Sequence, residues 1–581
     1  MSTLNGYINS LYDDDVSIKE KASLSILKMA IESQSLESLL ESETAVSTLV
    51  RIMREEYKTL SNVAINLSSV FVTLASQFRF HAVLREAQCG DCCFRALEYE
   101  LSVRGRAIDE VLSRVKIEYH ATRNPKLVED LNAQLSVLNT QDRLLNSYIS
   151  TLLYFADDLL VEKKMVNRGL IRVLLSLLCR EGEFLLKSCL NFLLKLSIIS
   201  EYKDVMLKAD SGIVSTLAQY TLIHSNSEIS LASLKLLQNL SFDKVCREMI
   251  RESNLIKTIP DLLRVPPLRS AVIRLLAYLS EDMEICTMIS QSDEITLIVV
   301  QLTIGFPGKV CPPDLAQLLT NISSDKRGAL SLADNGLFPK ILERALENAD
   351  AFLMRIVKTI AMTSSSASAL MRNIERKYPQ YERALMSAAS LNQEGMMEYD
   401  SESFFEELIG FFVGLASLEF HKKGSIDLNK FRDIQPIVLN ALHSVRAQTV
   451  LEAIMFIGNS GLFNSENLKS TVREILSLLD ESEDDDIIAQ CLFALTRLPS
   501  LSDKIIDEES RRLIMSFILS ENSEISAIAE RLSFSLAVSS NDEELRKLRF
   551  ARANKYFNFT DELNSPGCKD WIVWEESISP S

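Results

Sequence analysis

Residues 236–243 read LLQNLSFD, and this short stretch decides the fold. A helix closes here on an apolar residue, Leu240, followed by a small one, Ser241, with Leu237 three positions earlier on the same helical face. The same close recurs on both sides: Phe155-Ala156, Leu196-Ser197, Leu279-Ser280, Ile322-Ser323, Ile360-Ala361, Leu415-Ala416, Ile457-Gly458, Leu495-Thr496 and Leu536-Ala537. In nine of these ten closes an apolar residue also stands three positions before the closing one. Return at a period of roughly forty residues marks an array of helical repeats, each burying its apolar face only against its neighbours. Such arrays offer long binding surfaces and rarely carry out chemistry.

Each repeat has further internal punctuation. Some thirteen to fifteen residues after the small residue comes a turn residue and then aliphatics: Gly169-Leu170-Ile171, Gly212-Ile213-Val214, Asn254-Leu255-Ile256, Gly336-Leu337-Phe338. A Gly or Asn at that point can take a positive φ and separate two helices. The pattern is similar to the armadillo repeat, with its glycine before the second helix and its Asn-Leu-Ser near the end of the third. Asn239-Leu240-Ser241 carries that ending in full, and Asn321-Ile322-Ser323 carries it with Ile for Leu. The expected fold is all-α: a right-handed superhelical solenoid of armadillo-like repeats, preceded by an N-terminal helical region and a helical hairpin.

Bulk composition agrees. The 581 residues are 47% hydrophobic and 24% charged, with only 17 Gly and 13 Pro, fewer turn residues than a mostly β chain of this size needs. A net charge of -17 argues against phosphate neutralisation, hence against nucleic acid as a partner, and favours basic protein segments. The N-terminal MSTLNGYINSLYDDD lacks the basic start and apolar core of a signal peptide. The most apolar run, Leu408–Leu418, is too short to span a bilayer and fits a buried helix. Ten cysteines without a framework suit reduced thiols in the cytoplasm.

Four segments are expected: 1–96, atypical helical repeats; 97–149, a charged helical hairpin; 150–540, the repeat array; 541–581, a basic and aromatic cap. The hairpin rests on two heptad-like runs parted by Asn124-Pro125: Leu97, Leu101, Ile108, Val111, Val115 and Tyr119, then Leu127, Leu131, Leu138, Leu145 and Ile149. Its helices pack on each other, or a seam docks on a partner's coiled coil. Inside the array, the step from Ala361 to Ala416 is 55 residues, read as an insertion loop at about 363–403. In the cap, Arg546, Lys547, Arg549, Arg552 and Lys555 precede Trp571 and Trp574, the only tryptophans. Aromatics there suit a cover over the last repeat.

Chemistry finds little support. Cys89, Cys92 and Cys93 form a CxxCC cluster, but no second pair stands near, and His81 and His120 are poorly spaced for zinc; buried thiols are expected. Neither a phosphate loop nor a GxGxxG turn is present. The acidic run 481–486 lacks the alternating ligands and glycine of a calcium loop and reads as an inter-repeat turn feeding charge to the next helix. No catalytic residue, cofactor or metal is assigned.

One family resemblance is specific. Tyr7–Asp14 (YINSLYDD), Leu39–Phe71 (LLESETAVSTLVRIMREEYKTLSNVAINLSSVF) and Phe78-Arg79-Phe80-His81 resemble the opening of the kinesin-associated protein family, the non-motor subunit of heterotrimeric kinesin-2. The likeness continues through Leu152–Met165, Leu185–Met206, Leu236–Asp243 and Asn335–Ala345, and more loosely through Asn554–Phe557 and Asp570-Trp571. The insertion at 363–403 is longer than the family leads one to expect, which marks a divergent member. The resemblance implies a non-catalytic adaptor that binds the tails of two kinesin-2 motor subunits and links them to cargo, notably in intraflagellar transport along cilia and flagella. It also implies a place in the cytoplasm, at the cilium and its base, on microtubules through the motor. In armadillo arrays third helices line a groove that the position two before each small residue faces: here Tyr154, Lys195, Asn239, Tyr278, Asn321 and Thr359. Asparagines there can bond a partner's backbone, or can simply satisfy neighbouring helix ends. Two other armadillo readings compete. An importin-α-like receptor needs Trp paired with Asn along the groove, and no Trp precedes position 571. A general scaffold or trafficking adaptor would show no preference for kinesin-2. An enzyme within 1–150 has no motif behind it.

Overall fold

The computed structural model describes residues 2–32, 44–59, 61–106, 110–111, 113, 126–223, 226–334, 336–363, 399–421, 434–460, 468–498, 505–537, 547 and 550, and among these only helices and turns occur. Two compact units divide at Leu279 and Ser280. In the first, the helices Asn62–Ala75, Lys126–Phe155, Glu183–Leu196, Ser227–Leu240 and Pro266–Leu279 pack one on the next and form a spine. In the second, Pro313–Ser324, Ala351–Met362, Tyr399–His421, Ala447–Ser460, Asp485–Arg497 and Ser523–Ala537 do the same. These are the third helices of armadillo-type repeats, and every closing apolar residue of the recurrent phrase is buried in them.

Three-helix repeats are regular from Leu159 to Met362. Four of the five first helices start on an aspartate, the exception starting on Ile199: Asp158 accepts from the Leu160 and Val161 amides, Asp243 from Val245, Asp282 from Glu284 and Ile285, and Asp325 from Arg327 and Gly328. Each such cap satisfies amides that the helix itself cannot, worth about 1 kcal/mol. All four stand two residues after the small residue of the phrase, a signal present in the sequence that the periodic reading passes over. The turn before the second helix is left-handed at Gly169 (φ +91°) and Gly336 (φ +66°), as expected. The expectation fails at Asn254 (φ −86°), and Gly212 is held instead by its amide on Asp210 Oδ1. Packing is closest at Gly328, where a Cβ would lie 2.0 Å from the Ile322 carbonyl oxygen, so only glycine fits.

Beyond Tyr399 the helices among the described residues come in pairs. Gln435–Ala441 pairs with Ala447–Ser460, Leu468–Glu481 with Asp485–Arg497, and Glu508–Ser516 with Ser523–Ala537. Asp484 caps the middle pair, accepting from the Asp486 amide at 2.9 Å, so the acidic run does feed charge to a helix start. The run at 408–418 is part of the helix Tyr399–His421, with Leu408, Phe411, Phe412 and Leu415 buried. That helix begins inside the expected insertion; 364–398, the bulk of it, lie outside the described residues, as do most of the first hairpin run and nearly all of 541–581.

The second hairpin run is part of the 30-residue helix Lys126–Phe155, which crosses the expected boundary at 149/150 without a break. Its Leu144, Leu145, Tyr148, Ile149 and Leu152 are buried, and it packs on Asn62–Ala75, Cys89–Tyr99 and Glu183–Leu196. Gln141 Nε2 donates to the carbonyl (3.0 Å) and carboxylate (3.2 Å) of the buried Glu100. No single helix among the described residues is long and apolar enough to cross a membrane.

Candidate partner-binding groove

The six groove positions sit on third helices, four in the first unit and two in the second, and they share a register. Lys195 pairs with Asp157 of the preceding repeat; Asn239 Nδ2 donates to Ser197 Oγ at 2.8 Å; the Tyr278 ring lies 4.9 Å from Phe242, edge to face. In the second unit Asn321 Nδ2 donates to Ser280 Oγ, also at 2.8 Å. In each case the position two before the small residue reaches back to the preceding repeat's small residue, or to the residue after it. The side chains form rungs between successive third helices. Thr359 departs from this, donating to the Arg355 carbonyl of its own helix at 2.8 Å, and Tyr154 lies exposed at the first rung.

The asparagines therefore satisfy the array first. Each amide keeps a second N–H and its carbonyl oxygen for a partner, since the serine uses one donor only. Lys203 stands 5.5 Å over the exposed Phe242 ring, which adds a cation to the aromatic rung.

Two further features escape the periodic reading. The first is a recess of about 370 Å³ bounded by Ile65, Ser69, Asn139, Asp142, Asn146 and Gly182–Leu185. Ser188 Oγ donates to Asn146 Oδ1 at 2.7 Å, and Phe184 is 83% exposed at the edge. Burial pushes the Asp142 carboxyl up, and Arg180, 3.7 Å away, opposes that. The recess joins residues before Tyr154, where the recurrent phrase begins, to Gly182–Leu185 after it, so no spacing points to it.

The second is an ionic set in the second unit. Glu407, almost wholly buried, accepts from Arg355 Nε at 2.6 Å and lies 3.4 Å from Lys358 Nζ, which also pairs with Glu452. Arg446 pairs with Glu406 at 3.2 Å. Burial alone would lower the Lys358 pKa, but the Glu452 and Glu407 carboxylates outweigh it, and the net shift is upward. Gly410 makes the reach possible: a Cβ there would meet Lys358 Cδ and Cε at 2.6 Å.

Cys89, Cys92 and Cys93 are buried thiols, and burial pushes Cys92 up to about 12, leaving it protonated and unreactive at neutral pH. Among the described residues no group of three or more His, Cys, Asp or Glu side chains could hold a metal.

The kinesin-associated protein family matches residues 1–560, and the chain belongs to that family. Among solved structures, it is similar to an engineered protein from a structural genomics consortium: 18% identity, TM-score 0.52, covering 68% of this chain and 94% of that one. That likeness concerns the fold alone. A structure from work on a phosphorylation switch controlling the interaction between cadherin and beta-catenin has 14% identity and TM-score 0.45 over 93% of this chain and 99% of that one, too distant to add to it.

Proposed function

From membership of the kinesin-associated protein family we propose a non-catalytic adaptor subunit of heterotrimeric kinesin-2. It holds the tails of the two motor subunits and links them to cargo for microtubule-based transport in the cilium or flagellum and at its base, without cofactor, nucleic acid or membrane insertion. The family match over nearly the whole chain carries this reading. The rung face at Tyr154, Lys195, Asn239, Tyr278, Asn321 and Thr359 is its proposed contact surface, because polar and aromatic groups recur there at a fixed register.

The test is isolation of the tagged protein from its own cells at moderate salt, with co-purifying chains identified by mass spectrometry. Two kinesin-2 motor subunits in near-equal amounts are expected; clean recovery of other partners without kinesin would replace the reading by a general scaffold. For the face itself, Asn239→Ala with Asn321→Ala should weaken motor-tail binding with helicity intact. Ser197→Ala with Ser280→Ala breaks the same rungs yet keeps the amides. Equal affinity in both double variants and the wild type would remove the groove.

A further inference from the structure

Where the N-terminal helices meet the first three-helix repeat, the first unit holds a cleft of about 500 Å³. Its walls are the helix His81–Glu86, the start of Cys89–Tyr99, the end of Lys126–Phe155 and the helix Leu159–Asn167. Phe94, Leu152, Phe155 and Met165 give it a buried apolar floor. The size suits a bulky side chain or small ligand.

The rim is cationic, out of character for a chain of net charge -17. Its two acids are neutralised from within: Asp91 by Arg168 at 2.8 Å and Arg95 at 2.9 Å, Asp158 by Arg85 at 3.2 Å and by the helix start it caps. Arg168 is also stacked 4.2 Å over the Phe94 ring. The exposed Lys164 also lines the rim, and no carboxylate among the described residues pairs with it. Gln88 stands at the mouth with φ +57°, left-handed in a residue other than glycine, and its side chain is held by Arg54 at 3.2 Å. Such strain persists where surrounding structure fixes it, often at clamps.

We infer that this cleft is a second docking site, separate from the rung face, for an acidic partner segment bearing an aromatic residue. The ring rests on the apolar floor beside Phe155, and a neighbouring carboxylate meets Lys164. An apolar floor under an unspent positive charge favours this chemistry over a bare anion, which would leave the floor wet, and over a basic segment, which Lys164 repels while the arginines are already paired.

Fluorescence anisotropy of the full chain with a fluorescein-labelled nine-residue peptide of alternating glutamate and tryptophan tests it. Saturable binding is expected, weakened about tenfold or more by Lys164→Glu, since a like charge then faces the peptide carboxylates. Gly90→Leu, whose added Cβ starts 3.4 Å from the Phe155 ring, should fill the cleft and weaken binding as well. Lys164 is exposed and without a carboxylate partner among the described residues, so Lys164→Glu should melt with the wild type, and it carries the test if Gly90→Leu misfolds. Binding no tighter than that of a lysine-for-glutamate peptide would overturn the proposal. So would equal binding of an alanine-for-tryptophan peptide, which makes the rim an anion site, or an unaffected Lys164→Glu variant. None of these outcomes touches the motor reading, which rests on co-purification.

Discussion

Successive third helices are joined in two ways. Around Asn239 and Asn321 the rungs are neutral, one amide on one serine hydroxyl. Between Arg355 and Glu452 they are ionic and shared, two cations on two buried acids spread over three helices. A neutral rung contributes about 1 kcal/mol net and can be lost singly. The ionic set is interdependent: the buried Lys358, Glu407 and Glu452 are each tolerable only because the others are present, so removing one strands its partners in a poor dielectric, while the half-exposed Arg355 stays solvated. One stretch of array is thus joined by separate, replaceable links, another by a unit that stands or falls together.

The sharpest way to break this contrast is Glu407→Ala, which leaves both Arg355 and Lys358 short of a partner. It should cost about 3–5 kcal/mol in urea unfolding; a loss near that of a neutral rung would erase the distinction. Gly410→Leu should come next, at about 1–3 kcal/mol, because the new side chain occupies the path by which Lys358 reaches Glu452. Its effect should largely vanish in a Lys358→Ala background. Asn239→Ala should cost about 1 kcal/mol, and because it shares no partner with Asn321 it should add to Asn321→Ala without coupling. The smallest effect is in pH. Burial raises the Glu406 pKa despite Arg446. A carboxyl with a folded value above its unfolded one favours the fold fully below the unfolded value and loses that contribution as pH rises through the folded one. The melting temperature of Glu406→Gln relative to wild type should therefore climb between pH 4 and pH 7; a flat difference would mean that the ionic set fully offsets burial.

How much of this the sequence announces depends on the range of the interaction. The closes at Leu196, Leu240, Leu279 and Ile322 are legible because burial repeats with the helix, and all four are buried. The asparagines of the rungs are legible too, but their serine partners require the register between one repeat and the next. Lys358 and Glu452 stand 94 residues apart, and nothing local couples them. The aspartate caps were in plain view and hidden only by Ile199, which breaks their series. The change from three helices to two is silent for another reason. Ser241 and Ser280 are 39 residues apart and Gly458 and Thr496 are 38, yet among the described residues the first span holds three helices and the second two. Period counts residues, not helices. The cleft at Lys164 and the recess at Asn146 join segments that share no spacing at all.

The helix Lys126–Phe155 has a mechanical consequence. Thirty residues make a rod about 45 Å long, clamped from Gln141 onward by Leu144, Tyr148, Ile149 and Leu152, while every side chain from Asn132 to Thr140 is half-buried or exposed. A load applied near Lys126 acts on a lever arm of roughly 22 Å, and its fulcrum is the Gln141–Glu100 contact at the edge of the clamp. Torque falls there first, so under tension the rod should pivot and release Glu100 before any leucine of the spine gives way.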